Sequence, residues 1–186
     1  MTSANYFEQL YAEHDDPWQL AEREYERRKF DITLASLPKR RYARAFEPGC
    51  SIGVLTGMLA RRCDALLASD PVGRPLEIAR ASIPDRNVTF RQGRVPQEWP
   101  TETFDLIVLS ELLYYLSAAD RVDVRASAVR SLAPDGHLVL VHWRRPFEVA
   151  TCTGDEAHAE MRTGADLVRL VEHVEDDFRL EVLTHA

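Results

Sequence analysis

Basic residues are in deficit in this chain of 186 residues, where 23 Lys and Arg face 30 Asp and Glu and leave a formal charge of −7. A non-specific hold on phosphate backbones needs clustered cations, so the deficit argues against nucleic acid as partner or substrate. Cysteine is scarce too. Cys50, Cys63 and Cys152 are scattered and form no C-x-x-C pair, which excludes a disulfide framework and a paired metal knuckle. Long apolar runs are missing, and nothing approaches the ~20 residues that a membrane span requires. The opening stretch MTSANYFEQLYAEHDDPW is polar and acidic rather than basic and then apolar, so no export leader is expected and the cytoplasm is the expected location.

What is present suffices for one globular core. Hydrophobic residues make up 45% of the sequence, and the length suits one domain. The expectation is a single domain over 1–186, with 1–40 a helical lead-in or lid and 41–186 an α/β core. Residues 4–37 read as helix, with Asp16 capping a second segment and Pro17 in its first turn. Short apolar runs then alternate with amphipathic stretches. Strands are expected at 44–47, 65–70, 87–92, 104–110 and 137–142, and helices at 54–62, 74–82 and 120–132. The run FDLIVLS is nearly all apolar, as buried parallel strands are. Thr153 and Glu156 form a capping-box pattern before a tail helix, and FRLEVLTH reads as a last strand. Strand-helix alternation implies a mostly parallel sheet of six or seven strands covered on both faces, with ligands at the strand C-terminal ends.

The densest chemical signal is Glu47-Pro48-Gly49-Cys50-Ser51-Ile52-Gly53, lying between an expected strand and an expected helix. Glycines at 49 and 53 would let backbone approach a ligand where a Cβ collides, and the helix start offers free N–H groups. At the end of the second strand, Asp70 can accept two hydrogen bonds from vicinal ribose hydroxyls, with a helix cap as its plainer role. The dinucleotide fingerprint G-x-G-x-x-G is absent. The fourth strand ends in Ser110-Glu111-Leu112-Leu113-Tyr114-Tyr115 and the fifth in His142-Trp143. Position alone makes Glu111, Tyr114, Tyr115, His142 and Trp143 candidates for the rim of a site. His142 and Glu111 rank first as proton acceptors, with Glu26 behind them.

The Glu47–Gly53 turn resembles the first motif of class I methyltransferases, E/D-x-G-x-G-x-G, with Ser51 at the middle glycine. Asp16-Pro17-Trp18, Tyr25-Glu26, Arg28-Lys29, GCSIGVLT, Arg62-Cys63-Asp64, FDLIVLSELLYYL, HLVLVHWR and Thr153-Gly154-Asp155 together resemble the nodulation protein S family over almost the whole chain. The resemblance implies a three-layer Rossmann-like α/β fold and S-adenosylmethionine-dependent N-methylation of a small acceptor. In the family's named members that acceptor is the free amine of a deacetylated chitooligosaccharide. It further implies that Glu47, Gly49, Cys50, Ser51 and Gly53 lie near the methionine and ribose of the cofactor, that Asp70 holds the ribose, and that adenine sits between Pro71 and the turn Gly93-Arg94-Val95, with Ser110 beside the site. Arg94 departs from the pattern, since many class I enzymes carry an Asp there for the adenine amino group.

Plainer roles compete at several positions. The mixed-charge segment Arg23–Arg44 reads first as a solvated helix face with i,i+4 pairs. Its alternative is a cover over the cleft in which Trp18, Tyr25 and Glu26 touch cofactor or acceptor. Asp155 and Glu156 beside His158 suit the first turn of a helix, and no metal is expected. O-methylation of a small metabolite and a non-catalytic nucleoside-binding protein are the functional alternatives.

Overall fold

A strand with no polar face is stable only when both its faces are covered, and Phe104–Ser110 meets that condition at the centre of the sheet. In the computed structural model, which describes residues 3–186, the strands are β1 (Tyr42–Pro48), β2 (Cys63–Asp70), β3 (Val88–Gln92), β4 (Phe104–Ser110), β5 (Leu132–Trp143), β6 (Leu167–Val174) and β7 (Phe178–His185). They form one seven-stranded sheet in the order β3-β2-β1-β4-β5-β7-β6. The pairs among β1 to β5 are parallel, while β5 with β7 and β7 with β6 are antiparallel. The helices are α1 (Ser3–Glu13), α2 (Glu24–Ala35), α3 (Val54–Ala60), α4 (Gly73–Ser82), α5 (Ala118–Ser131) and α6 (Gly154–Met161). Among the described residues no helix is long and apolar enough to cross a membrane.

Alternation along β4 divides the core between two faces. Leu106 and Val108 join Val139, Val141, Phe30 of α2 and Leu55 and Leu59 of α3 on one side. Ile107 and Leu109 join Leu138, Leu140, Val124 and Ala128 of α5 and Ala157 of α6 on the other. The result is a three-layer α/β sandwich. The strand order reverses between β1 and β4, so their C-terminal ends open the crevice where such folds take ligands.

Three expectations change. The second helix of the lead-in begins at Glu24 rather than at Pro17, because residues 14–23 form turns: Asp16 accepts from Leu20 N–H at 2.9 Å and Ala21 N–H at 3.0 Å, and Gln19 has φ 57°. The helix expected to run to Leu132 stops at Ser131, where β5 begins. The tail carries two strands, and the sheet has seven. β6 lies at the edge with Val168, Leu170 and Val174 exposed; without a fully covered face it lacks a clean alternation to read, and its charges suit an edge. The capping box of Thr153 and Glu156 forms as expected.

Gly53 is required by packing. With φ 83°, its missing Cβ would stand 2.7 Å from Ile83 Cδ1 and 2.9 Å from Ala79 Cβ, so this glycine lets α3 approach α4. Gly53→Ala is expected to cost about 1–3 kcal/mol in urea melts, from overpacking and a left-handed backbone; wild-type stability would contradict it.

Candidate functional site

Between β1 and α3 the chain makes the turn that the glycines announced. Gly49 N–H and Cys50 N–H both donate to Ser69 O, at 2.7 and 3.0 Å, which ties the turn to β2. Ser51, at the middle-glycine position, adopts φ 52° and donates its N–H to Asp70 Oδ2 at 3.0 Å. Asp70 Oδ1 accepts from Val72 N–H at 3.0 Å. One donor per oxygen fixes the carboxylate and leaves each oxygen able to accept again. The start of α4 is capped at Val72, so Asp70 is not its N-cap. Burial pushes the Asp70 carboxyl up to about 6, against the two backbone donors.

Glu47 ends fully inside the protein. It accepts from Thr56 Oγ1 at 2.7 Å, and burial pushes its carboxyl up to about 7. Because the folded value lies above the unfolded one near 4.5, this group favours folding below pH 4.5 and loses that advantage as pH rises through about 7. Glu47→Gln is therefore expected to gain about 1–3 kcal/mol over wild type between pH 5 and pH 8. Urea melts at both pH values check it, and an equal difference at the two would contradict the assignment. Buried carboxyls with a single hydroxyl partner and a raised pKa concentrate at ligand sites.

The other expected cofactor residues distribute unevenly. Pro71 O accepts from Gln92 Nε2 at 3.0 Å, and Gly93 N–H donates to Asp70 O at 3.0 Å, which closes the two turns on one another. Ser110 is half-buried at the end of β4. Cys50 packs with Ala68 and Leu76, and Val95 with Phe46 and Trp99, so both side chains serve the core. The Arg94 side chain is exposed, and its N–H donates to Glu98 Oε2 at 2.8 Å. From above the turn, Tyr11 of α1 bonds Ser51 Oγ at 2.6 Å, and Trp18 packs with Tyr11, Ile52 and Val72.

Beside the turn, the end of β4 meets α2. Glu111 adopts φ 52°. Its Oε1 accepts from Lys29 Nζ at 2.5 Å, and its Oε2 accepts from Trp143 N–H at 2.9 Å and from the Tyr114 hydroxyl. Lys29 Nζ also lies 2.8 Å from Glu26 Oε2 and 5.1 Å from the Tyr25 ring centroid. Burial works against the ammonium, yet Glu111 and Glu26 hold the Lys29 pKa above its usual value. The Tyr25 ring meets Trp143 edge to face at 5.7 Å. The buried Tyr25 hydroxyl has no hydrogen-bond partner among the described residues, and Glu26 Oε2 faces the Lys29 ammonium. The expected rim residues Glu111, Tyr114 and Trp143 thus meet Tyr25 and Glu26 of the expected cover around one cation. Tyr115 is half-buried next to this group, its ring edge to face with Tyr114 and with Phe7, each at 4.9 Å.

Lys29 is not legible as a site residue, because the charges around it in the sequence suit a solvated face. Its side chain is 2% exposed. The available signal was spacing: Glu26, Lys29, Phe30 and Thr33 fall at i, i+3, i+4 and i+7, and all four are buried. His142 also differs from expectation. It is wholly buried behind the rim, with Nε2 3.1 Å from Leu113 N–H and Nδ1 3.0 Å from His158 Nε2. Burial, then His158 and Lys29, hold its pKa well below the usual value. Both ring nitrogens of His142 are engaged, so its ring offers no free nitrogen to an acceptor.

The sheet order, the turn after β1 and the acid ending β2 define the class I methyltransferase architecture. The sequence profile of the family described as Nodulation protein S (NodS) matches residues 5–171, and the chain belongs to that family. Nodulation protein S of Rhizobium tropici is 36% identical over 131 residues, 68% of this chain and 54% of that protein. The Sinorhizobium fredii protein is 34% identical over 146 residues, 75% of this chain and 67% of its own length. The match therefore spans between half and two thirds of these relatives. The N-methyltransferase NodS of Bradyrhizobium japonicum in complex with S-adenosyl-L-homocysteine superposes with a TM-score of 0.86 at 25% identity, over 100% of this chain and 99% of that one.

Proposed function

We propose that this chain is an S-adenosylmethionine-dependent N-methyltransferase acting on the amine of a small acceptor, an amino sugar or a short deacetylated chitooligosaccharide. The whole chain, 1–186, is read as one such domain, working in the cytoplasm. Family membership and the S-adenosyl-L-homocysteine complex of the Bradyrhizobium neighbour support the cofactor. The observation that carries the acceptor is the pair of carboxylates, Glu26 and Glu111, sharing the single cation Lys29. One positive charge against two negative ones leaves a deficit that an ammonium fills and a neutral phenol does not.

The residues fit the cofactor. Asp70, fixed by two backbone donors with lone pairs to spare, suits vicinal hydroxyls. Glu47 and the backbone of Gly49, Cys50 and Ser51 would flank the methionine portion, with Pro71 and Gly93 beside the base. When bound, the cofactor supplies a methyl group made electrophilic by its sulfonium. The protein's main task is alignment of a lone pair behind that methyl. Glu111, its side chain 24% exposed at the end of β4, would attract the acceptor and stabilise the positive charge that develops on nitrogen. An arriving ammonium must first lose a proton; Glu26 Oε2 or water would take it. Tyr25 and Trp143 offer ring surface to an apolar sugar face, and the Tyr25 hydroxyl would find its partner in the acceptor.

Asp70→Ala is expected to weaken S-adenosylhomocysteine binding by about 1–3 kcal/mol in calorimetry, through the lost charge-assisted bonds; unchanged affinity would sink the ribose assignment. Methyl uptake from labelled cofactor tests the acceptor. Transfer to glucosamine oligomers is expected, and transfer to phenols alone would contradict the amine.

A further inference from the structure

A chain of three buried polar side chains runs behind the rim and touches neither turn of the cofactor site. His142 ends β5, His158 lies on α6 and Glu181 on β7, and all three are fully buried. His142 Nδ1 is 3.0 Å from His158 Nε2, and His158 Nδ1 is 2.8 Å from Glu181 Oε2. At the near end, Leu113 N–H donates to His142 Nε2 at 3.1 Å. At the far end, Arg169 Nη1 donates to Glu181 Oε1 at 2.8 Å, and Arg162 Nε lies 3.4 Å from Oε2.

These contacts admit one order of protons. A backbone N–H can only donate, so His142 Nε2 must accept, and the proton of its neutral ring sits on Nδ1. That proton points at His158 Nε2, so His158 in turn carries its own on Nδ1 and gives it to the Glu181 carboxylate. Burial depresses both imidazoles, and a doubly protonated His142 would set its Nε2–H against the Leu113 N–H. Lys29 near His142 and Arg179 near His158 push the same way, while Asp155 and Glu181 oppose them at His158. Although burial raises the Glu181 carboxyl, His158 and Arg169 hold it below the usual range. The geometry is tight: a Cβ on Gly154, the first residue of α6, would stand 2.3 Å from Trp143 O and 2.9 Å from His142 Cβ.

We infer that His158 and Glu181 are positioning residues for methyl transfer, which act through the tautomer of His142 to fix the Glu111–Tyr115 loop. Glu111 itself sits at φ 52°, and the loop's next two amides, Leu112 N–H and Leu113 N–H, face His142 Nε2 at 3.4 and 3.1 Å. β5 therefore holds the loop three times, by Val141 O on the Glu111 N–H at 2.8 Å, by the His142 ring and by Trp143 N–H on the Glu111 carboxylate. With the other tautomer, a donor would face two donors and the loop would lose its seat. The role rests on the reading of Glu111 given above.

Nitrogen-15 NMR of the full chain, amide exchange and steady-state kinetics test it together on His158→Leu, His158→Gln and Glu181→Gln. In the wild type His142 should carry its proton on Nδ1. In His158→Leu and Glu181→Gln the tautomers should mix, and Leu113 should exchange about tenfold faster, the worth of one hydrogen bond, with Ile107 and Val108 unchanged. Transfer to a glucosamine tetramer should fall at least about tenfold in kcat while the S-adenosylhomocysteine Kd stays within about twofold. His158→Gln, whose amide oxygen can accept from His142 Nδ1–H, should keep the tautomer and most of kcat. An unaltered tautomer and exchange in both disruptive variants, or mixed tautomers with undiminished kcat, would overturn the proposal. A wild type that binds S-adenosylhomocysteine but methylates no amine would instead refute the function, while tautomer and exchange still decide the positioning.

Discussion

Lys29→Met is expected to destabilise the protein by about 3–5 kcal/mol, which is the cost of removing one partner from a buried ionic cluster. The ammonium is almost wholly enclosed, with Glu26 at 2.8 Å, Glu111 at 2.5 Å and the Tyr25 ring beside it. Without it two carboxylates confront one another, and Glu26 is nearly as buried as the lysine. Recovery is expected when the whole cluster is neutralised. Lys29→Met combined with Glu26→Gln and Glu111→Gln removes every charge and should regain most of the loss, since an apolar or neutral replacement of a whole buried cluster is often tolerated. Urea melts at neutral pH decide it. A single-variant loss below about 1 kcal/mol, the value of an exposed ion pair, would mean that the cluster is solvated.

Glu111→Gln should lower kcat for amine methylation by about 10²–10³, the range found when one preorganised electrostatic group is taken from a transition state. Folding should survive, because Lys29 keeps Glu26 and the glutamine oxygen can still accept from Trp143 N–H or Tyr114. Affinity for S-adenosylhomocysteine should stay within about twofold, since the loss belongs to the charge that develops on nitrogen. Equal turnover in variant and wild type would remove Glu111 from the chemistry. A parallel loss of cofactor affinity would place it in the binding turn instead.

Local chemistry and periodicity made the central sheet readable. The apolar run of β4 has the bounds expected of it, and the turn at Glu47–Gly53 falls between strand and helix with Asp70 bonded back to it. What escaped depended on contacts between distant segments. Lys29 and Glu111 are 82 positions apart, and a helix rich in Arg and Glu hides one buried polar stripe among many exposed charges. His142 looked like a rim residue because strand ends usually are; only the arrival of α6, admitted by Gly154, turns its ring inward to His158. The spacing of Gly53 signals a close approach, and α4 is one neighbour that needs it. Composition cannot distinguish an approach to ligand from an approach to another helix. β6 was missed because an edge strand need not alternate.

The most direct test of the account is titration calorimetry of the purified chain with S-adenosylhomocysteine, with NAD as the control. The turn after β1, the fixed Asp70 and the missing dinucleotide fingerprint predict saturable binding of S-adenosylhomocysteine and none of NAD. Binding of NAD alone, or of neither, would contradict the cofactor assignment on which the acceptor and the roles of Glu111 and Lys29 depend.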